Sequence, residues 1–176
     1  MQYFIGIVPP KEIQDKITNF QKHFLNKKVV EPHITIKAQS GLTEDKVWLE
    51  KVENYLKRQT SFKVEFKDLS QFGDDVLFFQ VLSNEIEKIH NDLIDIVNPS
   101  KELRKKYFEN QKYTPHLTLA ETRWGINTDE LVSIKIKAEQ ELNNLPSFNV
   151  DFARVYVKSE PNTQYEKMMD IYFRKK

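Results

Sequence analysis

Apolar and polar positions along the chain recur with two different periods, which predicts a mixture of strands and helices. Residues 2–8 are almost continuously apolar and indicate a buried strand, which Pro9 and Pro10 end. Over residues 11–24 apolar side chains recur every three or four positions, the period of an amphipathic helix. Elsewhere apolar and charged residues alternate, as in residues 62–66, which is typical of a half-exposed strand.

The order strand, helix, strand, helix, strand occurs twice along the chain. In the first copy Thr43 is expected to cap the second helix, and in the second copy Asn84 and Thr128 are expected to cap the two helices. The pattern therefore predicts a duplicated α+β unit. We expect one domain over residues 1–176, with pseudo-repeats at about 1–70 and 75–176 and an extra strand at residues 168–173.

One four-residue motif occurs twice, 83 positions apart, as His33-Ile34-Thr35-Ile36 and His116-Leu117-Thr118-Leu119. A proline precedes each copy. Because side chains on a strand point alternately to opposite faces, the His and Thr of each copy are expected on one face and the two aliphatic residues on the other. Two ordinary half-buried strands would show the same alternation. The repetition of both polar residues favours a shared cleft instead.

Two histidines in one cleft indicate acid–base chemistry at neutral pH, since the ordinary pKa of histidine is about 6.5. In the hydrolysis of a cyclic phosphodiester, one imidazole would take a proton from water while the other gives a proton to the departing ribose oxygen. Thr35 and Thr118 would donate hydrogen bonds to the phosphoryl oxygens. This scheme needs no metal and no cofactor. Glu31 and Glu121 flank the motifs and leave a metal site open as an alternative.

Composition narrows the chemistry further. The 176 residues include 27 Lys and Arg against 26 Asp and Glu, so the net charge is +1 and any preference for anions has to come from a local patch. The chain has no cysteine and only four glycines, which excludes thiolate chemistry and glycine-rich phosphate loops. With no apolar run of membrane length and no signal sequence, we expect a soluble cytoplasmic protein; its oligomeric state is not predicted.

The connection over residues 98–113 differs from its counterpart in the first copy. It mixes aromatic residues with the cations Lys101, Arg104, Lys105, Lys106 and Lys112. Such a mixture suits a single-stranded nucleic acid or a nucleotide, through phosphate charge and base stacking. A solvated loop or a short helix is the alternative. Tyr113, at the end of this connection, is a candidate substrate-binding residue.

With these motifs the chain resembles the 2H phosphoesterase superfamily, which includes the bacterial 2′–5′ RNA ligase-like proteins. The resemblance rests on the two His-x-Thr-x motifs, on the opening strand at residues 3–7 and on the two prolines that follow it. It covers essentially the whole chain and is strongest for the small Bacillus-type phosphoesterases. Residues 156–159, followed by Tyr165, also resemble the closing strand region of that family.

The resemblance implies a two-lobed α+β fold, with antiparallel sheets lining a central cleft and helices packed outside. It also implies metal-independent action on 2′,3′-cyclic or related phosphodiesters, at an RNA terminus or in a small nucleotide. By this likeness His33 is the proton donor, His116 is the proton acceptor, and Thr35 and Thr118 bind phosphate.

Family members often carry an arginine soon after the second motif. This chain has Ala120 and Glu121 before Arg123, while Lys37 directly follows the first motif, so that Lys37 and Arg123 are both candidate phosphate ligands. The interpretation that the sequence favours is a phosphoric diester hydrolase. A non-catalytic RNA- or nucleotide-binding protein and a 2′–5′ RNA end-joining ligase remain as alternatives.

Overall fold

A computed structural model describes residues 1–109, 113–160 and 163–174, and these residues form one sheet of eight strands. The strands are β1 Gln2–Ile7, β2 Ile34–Lys37, β3 Phe62–Phe72, β4 Val76–Leu82, β5 His116–Glu121, β6 Phe148–Val150, β7 Phe152–Lys158 and β8 Glu166–Tyr172. Their order in the sheet is β6-β3-β4-β5-β2-β1-β7-β8, and every neighbouring pair is antiparallel. The predicted α+β class with antiparallel strands is confirmed.

Four helices cover one face of this sheet, namely α1 Lys11–Gln21, α2 Leu49–Leu56, α3 Asn84–Val97 and α5 Thr128–Glu141. The short helix α4 Lys101–Lys106 buries no side chain, and residues Thr122–Trp124 form a 3₁₀ turn. The apolar stripes of α1, α2, α3 and α5 join the aliphatic side chains of β2 and β5 in one hydrophobic core. Because that core occupies one face, the opposite face of β2 and β5 is left for a site. Over the residues that the structure describes, no helix is long and apolar enough to cross a membrane.

The two long helices of the second copy begin one residue after their caps. Ser83 and Asn127 adopt extended backbone conformations, and their side chains accept hydrogen bonds from backbone N–H groups of the first turn. Asn84 and Thr128, which were expected to be the caps, are already helical. The prediction was therefore wrong by one position at each helix, because a polar residue stands at two consecutive positions.

The prediction that Thr43 caps α2 was wrong. The Thr43 hydroxyl donates a hydrogen bond to Asp45, and Lys46 then adopts a left-handed conformation with φ of +56°. Because a left-handed residue interrupts an α-helix, residues 43–46 form a separate turn and α2 begins only at Leu49. The apolar side chains of this segment, Trp48, Val52, Tyr55 and Leu56, are buried.

Strands β2 and β5 lie side by side at the centre of the sheet, with Ile34 opposite Leu117. These are equivalent positions of the two motifs on antiparallel strands, so a local pseudo-twofold axis passes between them. The flanking strands follow the same symmetry. On one side of the axis the order outward is β2, β1, β7 and β8, and on the other side it is β5, β4, β3 and β6. The sheet thus has two four-stranded halves, and the motif strands meet where the halves join.

The repeats of the sequence are interleaved in these halves. Strand β3 belongs to the first copy but pairs with β4, and β7 belongs to the second copy but pairs with β1. The far ends of the sheet also approach each other, since Arg174 donates a backbone hydrogen bond to Gln59 at 2.8 Å. Each half therefore depends on segments of both repeats. The repeat boundaries at about 1–70 and 75–176 stay a prediction.

Candidate active site

The polar residues of the two motifs lie together on the face of the sheet that the helices leave uncovered. Ile34 of β2 is opposite Leu117 of β5. Because the strands are antiparallel, one step along them in either direction sets His33 opposite Thr118 and Thr35 opposite His116. Directly opposed residues on antiparallel strands have Cβ atoms about 5 Å apart. The four polar side chains are partly exposed, whereas the four aliphatic side chains of the motifs are fully buried. The predicted alternation of the two faces is confirmed.

Both motif histidines are held by the same backbone contact. Nδ1 of His33 lies 2.7 Å from the carbonyl oxygen of Glu31, and Nδ1 of His116 lies 2.8 Å from the carbonyl oxygen of Thr114. Because a carbonyl oxygen only accepts hydrogen bonds, Nδ1 carries the proton in each neutral ring. Nε2 then keeps its lone pair and can accept a proton, and it becomes a donor once the ring is charged. Both rings are therefore set up for proton transfer through Nε2.

Aromatic side chains from neighbouring strands flank each of these imidazoles. The ring centroids of Phe4 and Tyr156 lie 4.8 and 5.5 Å from that of His33. At the other motif histidine, the ring centroids of Phe72 and Phe78 lie at 5.0 and 5.1 Å. The two aromatic pairs come from equivalent strands of the two halves, so the pseudo-twofold relationship extends to the surroundings of the histidines.

Burial among these rings lowers the pKa of both His33 and His116 below the ordinary value of 6.5. The carbonyl contacts with Glu31 and Thr114 act in the opposite direction on these pKa values, as do the carboxylates of Glu31 and Glu121, but burial is the larger effect. Positive charge on His116 lowers the pKa of His33 further, so the two rings are electrostatically coupled. Both imidazoles are therefore mostly neutral at pH 7, and a bound anion would favour charging one of them.

Three of the four polar motif residues border a cavity of about 450 Å³, and His116 is not part of its wall. His33, Thr35, Thr118 and Arg123 line it, and His116 lies two residues from Thr118 on the same face of β5. Aromatic side chains form much of the remaining wall, namely Phe4, Tyr107, Trp124 and Tyr165. A volume of this size suits a small-molecule ligand, and aromatic walls suit a planar base.

A charged network that the sequence analysis did not anticipate lies behind His33. Nη1 of Arg154 lies 2.6 Å from Oε1 of Glu31, and the Tyr156 hydroxyl donates to the same oxygen at 2.8 Å. Two further nitrogens of Arg154 donate to the carboxylate of Asp170 at 2.6 and 2.9 Å. Since the Glu31 carbonyl holds Nδ1 of His33, this network links β7 and β8 to the imidazole.

The ion pair between Arg154 and Asp170 is stable in its charged form. Burial alone would raise the pKa of the Asp170 carboxyl, but hydrogen bonds from Arg154 and Lys167 outweigh it and lower the pKa. The hydrogen bond to Asp170 in turn raises the pKa of Arg154. One sequence signal could have indicated this pair: a single charged residue stands between apolar neighbours in each of β7 and β8, and the two residues are directly opposed.

The structure places Lys37 in a buried cluster outside the wall of the cavity. Its side chain is fully buried, and Nζ lies 2.7 Å from Oε1 of Glu109. Nζ also donates to the carbonyl oxygens of Ala38 and Ser40 at 3.0 and 2.6 Å. Burial lowers the pKa of Lys37, and the Glu109 carboxylate opposes that change. The expected phosphate contact of Lys37 is therefore replaced by an ion pair inside the protein.

Tyr113 also lies outside the wall of the cavity, contrary to the expectation that it binds substrate. Its hydroxyl donates to the backbone carbonyl of Thr35 at 2.6 Å, and its ring stacks on His90 with 3.8 Å between centroids. Burial raises the pKa of Tyr113 and lowers that of His90, whose Nδ1 contacts the carbonyl oxygen of Ile36 at 3.0 Å. Both side chains support strand β2 from the core.

The two glutamates that flank the motifs are engaged by arginines. Glu31 pairs with Arg154, and Oε2 of Glu121 lies 2.7 Å from Arg123. Within residues 1–109, 113–160 and 163–174, no three His, Asp or Glu side chains are arranged to hold a metal ion. Of the candidate phosphate ligands outside the motifs, Arg123 is thus the one that reaches the cavity, next to Glu121.

Comparison with known proteins gives one family match for the sequence of this chain. Residues 9–162 match the family model of the 2'-5' RNA ligase superfamily. The fold is similar to the crystal structure of TT0787 of Thermus thermophilus, with a TM-score of 0.69 and 14% identity, covering 98% of this chain and 97% of that one. No curated protein matches.

Two further solved structures share the fold. Escherichia coli LigT complexed with 3′-AMP has a TM-score of 0.58 at 19% identity, covering 98% of this chain and 97% of LigT. A protein described as a phosphoesterase has a TM-score of 0.59 at 18% identity, covering 98% of both chains. Identities this low show a shared fold alone. The resemblance to the Bacillus-type phosphoesterases stays a prediction.

Proposed function

The chain belongs to the 2′-5′ RNA ligase superfamily, and from that premise we propose that it is a phosphodiesterase that opens 2′,3′-cyclic or related phosphodiesters. Membership alone supports a phosphoesterase or RNA-ligase-like activity. The finer proposal is carried by one observation: two imidazoles, each held at Nδ1 by a backbone carbonyl, share a sheet face with two threonine hydroxyls. The substrates proposed are RNA ends or small nucleotides, in a cytoplasmic setting that suits a chain without cysteine.

The proposed reaction transfers one proton at each end of an in-line displacement. One neutral Nε2 takes a proton from water as the water oxygen bonds to phosphorus, while the charged imidazole gives its Nε2 proton to the ribose oxygen as the P–O bond breaks. We assign His33 as donor and His116 as acceptor by family resemblance, because the backbone contacts of the two rings are equivalent. This scheme uses side chains of the protein alone.

Thr35 and Thr118 are proposed to donate hydrogen bonds to the non-bridging phosphoryl oxygens. Both residues line the cavity, each beside the histidine of the opposite motif. Donors aimed at oxygens that gain charge in the transition state typically contribute a factor of about 10² to 10³ in kcat. Arg123 is a candidate for a further phosphate contact, since it lines the same cavity.

Single substitutions of the motif histidines test this proposal. With a 2′,3′-cyclic nucleotide and a chelator present, His33→Ala and His116→Ala should each lower kcat by about 10² to 10⁴. His23→Ala is the matched control, because that histidine is exposed and does not line the cavity, and it should keep wild-type turnover. Circular dichroism would check that each variant is folded. Wild-type turnover by both motif variants would refute the proposal.

The residual activity of these variants also tests the donor and acceptor roles. Loss of the proton donor should remove the fall of kcat/KM at alkaline pH, since that fall reports deprotonation of the acid. Loss of the acceptor should remove the fall at acidic pH. The assignment predicts the first result for His33→Ala and the second for His116→Ala, and the reverse pattern would exchange the roles.

RNA end joining is the second candidate function, favoured by the superfamily to which the chain belongs. It resembles the ring opening, with the 5′-hydroxyl of a second RNA taking the place of water, and it needs the same two imidazoles. Incubating an RNA that ends in a 2′,3′-cyclic phosphate with a 5′-hydroxyl RNA distinguishes the two, because only ligation gives a longer product. Binding of both RNAs without any product would instead indicate a non-catalytic nucleotide-binding protein.

A further inference from the structure

Helix α4 concentrates positive charge at one end of the cavity wall. Among its six residues, Lys101, Arg104, Lys105 and Lys106 stand against the single acid Glu102. The helix therefore carries a net charge of +3, whereas the whole chain carries +1, so that the remaining residues together are net negative. Helix α4 is therefore one of the local basic patches through which this protein attracts a polyanion, together with Lys16, Lys22, Lys27 and Lys28 in the acid-free residues 16–30.

Over the described residues, each of the other α-helices has a lysine in an ion pair on the helix or at its end, although Lys16 of α1 and Lys51 of α2 are in none. In each pair the carboxylate lies one turn away, as Asp92 does from Lys88 at 2.5 Å. Across the part of the chain that the structure describes, no ion pair involves Lys105 or Lys106. Their charge is therefore available to an anionic ligand rather than neutralised by a neighbour.

The chain passes directly from α4 into the wall of the cavity. Tyr107 follows the helix and lines the cavity, and Nζ of Lys106 lies 5.5 Å from the centroid of its ring. Tyr107 thus presents an aromatic surface in the same cavity wall as His33 and next to an exposed lysine, a combination that suits a strand with stacked bases. Lys112, also assigned to this basic segment from the sequence, lies outside the described residues.

A buried ion pair fixes α4 in this place. The side chains of Lys37 and Glu109 are 0% and 2% exposed, and the backbone N–H of Glu109 donates to the carbonyl of Arg104 at 2.8 Å. Removing two charges from water costs about as much as their attraction returns, so a buried pair adds little net stability. Its effect here is positional, because it ties the residues after α4 to the end of β2. The basic helix is therefore held beside the cavity.

We propose that α4 and Tyr107 bind the backbone and a base of a single-stranded RNA whose 3′ end occupies the cavity. This inference rests on the proposed function and makes an RNA chain, rather than a mononucleotide, the preferred substrate class. The helix is about 9 Å long at 1.5 Å per residue, so Lys105 and Lys106 reach the nucleotides next to the reacting end but not distant ones. Each lysine contributes one phosphate contact.

The experiment compares two substrates and two double variants. The substrates are adenosine 2′,3′-cyclic phosphate and an oligoadenylate of about ten nucleotides with the same terminus. Lys105→Gln/Lys106→Gln removes two charges from α4. The control Lys51→Gln/Arg58→Gln removes two exposed charges from α2 and from the residue after its C-terminal cap; neither of them lines the cavity or belongs to an ion pair among the described residues. At low salt, the α4 variant should lose about tenfold in kcat/KM for the oligonucleotide and less than about twofold for the mononucleotide.

Salt dependence gives a second readout for the same variants. For single strands, log K falls with log salt by about 0.7 per phosphate contact, so the α4 variant should bind the oligonucleotide with a slope flatter by about 1.4. The α2 variant should keep the wild-type slope. A loss in the α4 variant that is equal for both substrates, or an unchanged slope, would overturn the inference.

Failure of the proposed function looks different from failure of this inference. If the wild-type protein turned over neither substrate, the proposed hydrolase activity would be refuted. RNA binding by α4 and Tyr107, which we call the RNA path, would still be tested by fluorescence anisotropy with the same oligonucleotide ending in a 3′-phosphate. Binding that the α4 variant weakens and the α2 variant leaves unchanged supports the path, and equal binding by all three proteins overturns it.

Discussion

The guanidinium of Arg154 and the carboxylate of Glu31 lie 2.6 Å apart directly behind the imidazole of His33. Glu31 contacts the ring through its backbone carbonyl and contacts Arg154 through its side chain. The Arg154 side chain is 14% exposed and is held on its other side by Asp170. Arg154 is therefore a positioning residue, since it fixes the residue that orients His33 and neutralises the charge beside it.

Replacing Arg154 by Met leaves the Glu31 carboxylate without its cation. The unneutralised charge should raise the pKa of His33, because a nearby anion favours the imidazolium. If His33 is the donor, the alkaline fall of kcat/KM then moves to higher pH, and kcat drops about tenfold as the ring loses its fixed position. Steady-state kinetics between about pH 5 and 9 measure both effects.

The double variant Glu31→Gln/Arg154→Met is the control for charge. It removes the carboxylate together with the guanidinium, so the alkaline fall should return towards its wild-type position while kcat stays low. An alkaline fall that does not move in Arg154→Met would mean that the ion pair has no influence on His33.

Gly6 allows the strand that carries His33 to pack closely against β1. A Cβ at this position would lie 3.3 Å from the carbonyl oxygen of Ile34, a tight contact, and at an ordinary 3.5 Å from Cδ2 of His33. Gly6→Ala should therefore shift β2, and with it His33, and lower kcat on the order of fivefold, with a loss in unfolding free energy below about 1 kcal/mol.

Gly73 offers the opposite case for comparison with Gly6. No atom lies within 4 Å of a Cβ added at Gly73, but its φ of +54° is strained for any residue with a side chain. Gly73→Ala should lower the unfolding free energy by about 1 kcal/mol and leave kcat unchanged. Wild-type kcat in Gly6→Ala would show that β2 tolerates this contact.

The stability of the fold should decrease below neutral pH. Burial lowers the pKa of His33, His90 and His116 below the ordinary 6.5, so below that pH the unfolded chain binds more protons than the folded one. Their contribution is complete above about pH 6.5 and is lost as the pH falls towards the folded-state pKa values, by at most about 1.4 kcal/mol per pH unit for each histidine.

Urea unfolding at about pH 7, 6 and 5 measures this dependence. Carboxylates such as Asp170, whose pKa is also lowered by folding, act in the same direction at more acidic pH. His33→Gln/His116→Gln should flatten the dependence between about pH 6.5 and 5. A wild-type stability that rises on acidification over this range would contradict the predicted burial of neutral imidazoles.

Lys37 should contribute to folding and not to phosphate binding. Lys37→Met leaves the buried Glu109 carboxylate without a partner, which typically costs about 3 to 5 kcal/mol of unfolding free energy. Lys37→Met/Glu109→Gln should recover most of that loss, and its KM for a mononucleotide should equal that of the wild type. A KM raised about tenfold in this folded double variant would instead support the phosphate contact expected from the sequence.

Much of this architecture could be predicted from the sequence, because its strongest signals are periodic. The period of two placed the polar and aliphatic residues of both motifs on opposite faces, and the structure buries Ile34, Ile36, Leu117 and Leu119 as expected. The order of strands and helices was also predicted, since β1, α1, β2, α2 and β3 match the first copy and β4, α3, β5, α5 and β6 match the second. Such periodic patterns indicate which side of a strand or helix packs against the core, so the buried face of each element can be predicted from the sequence alone.

The parts that were missed depend on contacts between distant segments. Lys37 is two positions after Thr35, so strand alternation places it on the same face as His33 and Thr35. Nothing in the neighbouring sequence indicates that it pairs with Glu109, 72 positions away. Arg154 reaches Glu31 across 123 positions because β7 inserts beside β1, and the sequence does not encode that interleaving locally. Strand alternation therefore gives the face on which a side chain lies, while the tertiary fold decides which partner it meets.

The most direct test of the central claim is the protonation of the two imidazoles, followed by ¹⁵N NMR in the free protein and with 3′-AMP. We predict that His33 and His116 are both neutral at about pH 7 with the proton on Nδ1, and that the phosphate raises the pKa of both, since its charge favours each imidazolium. A proton on Nε2 in either free ring, or a response to 3′-AMP from only one ring, would contradict the account.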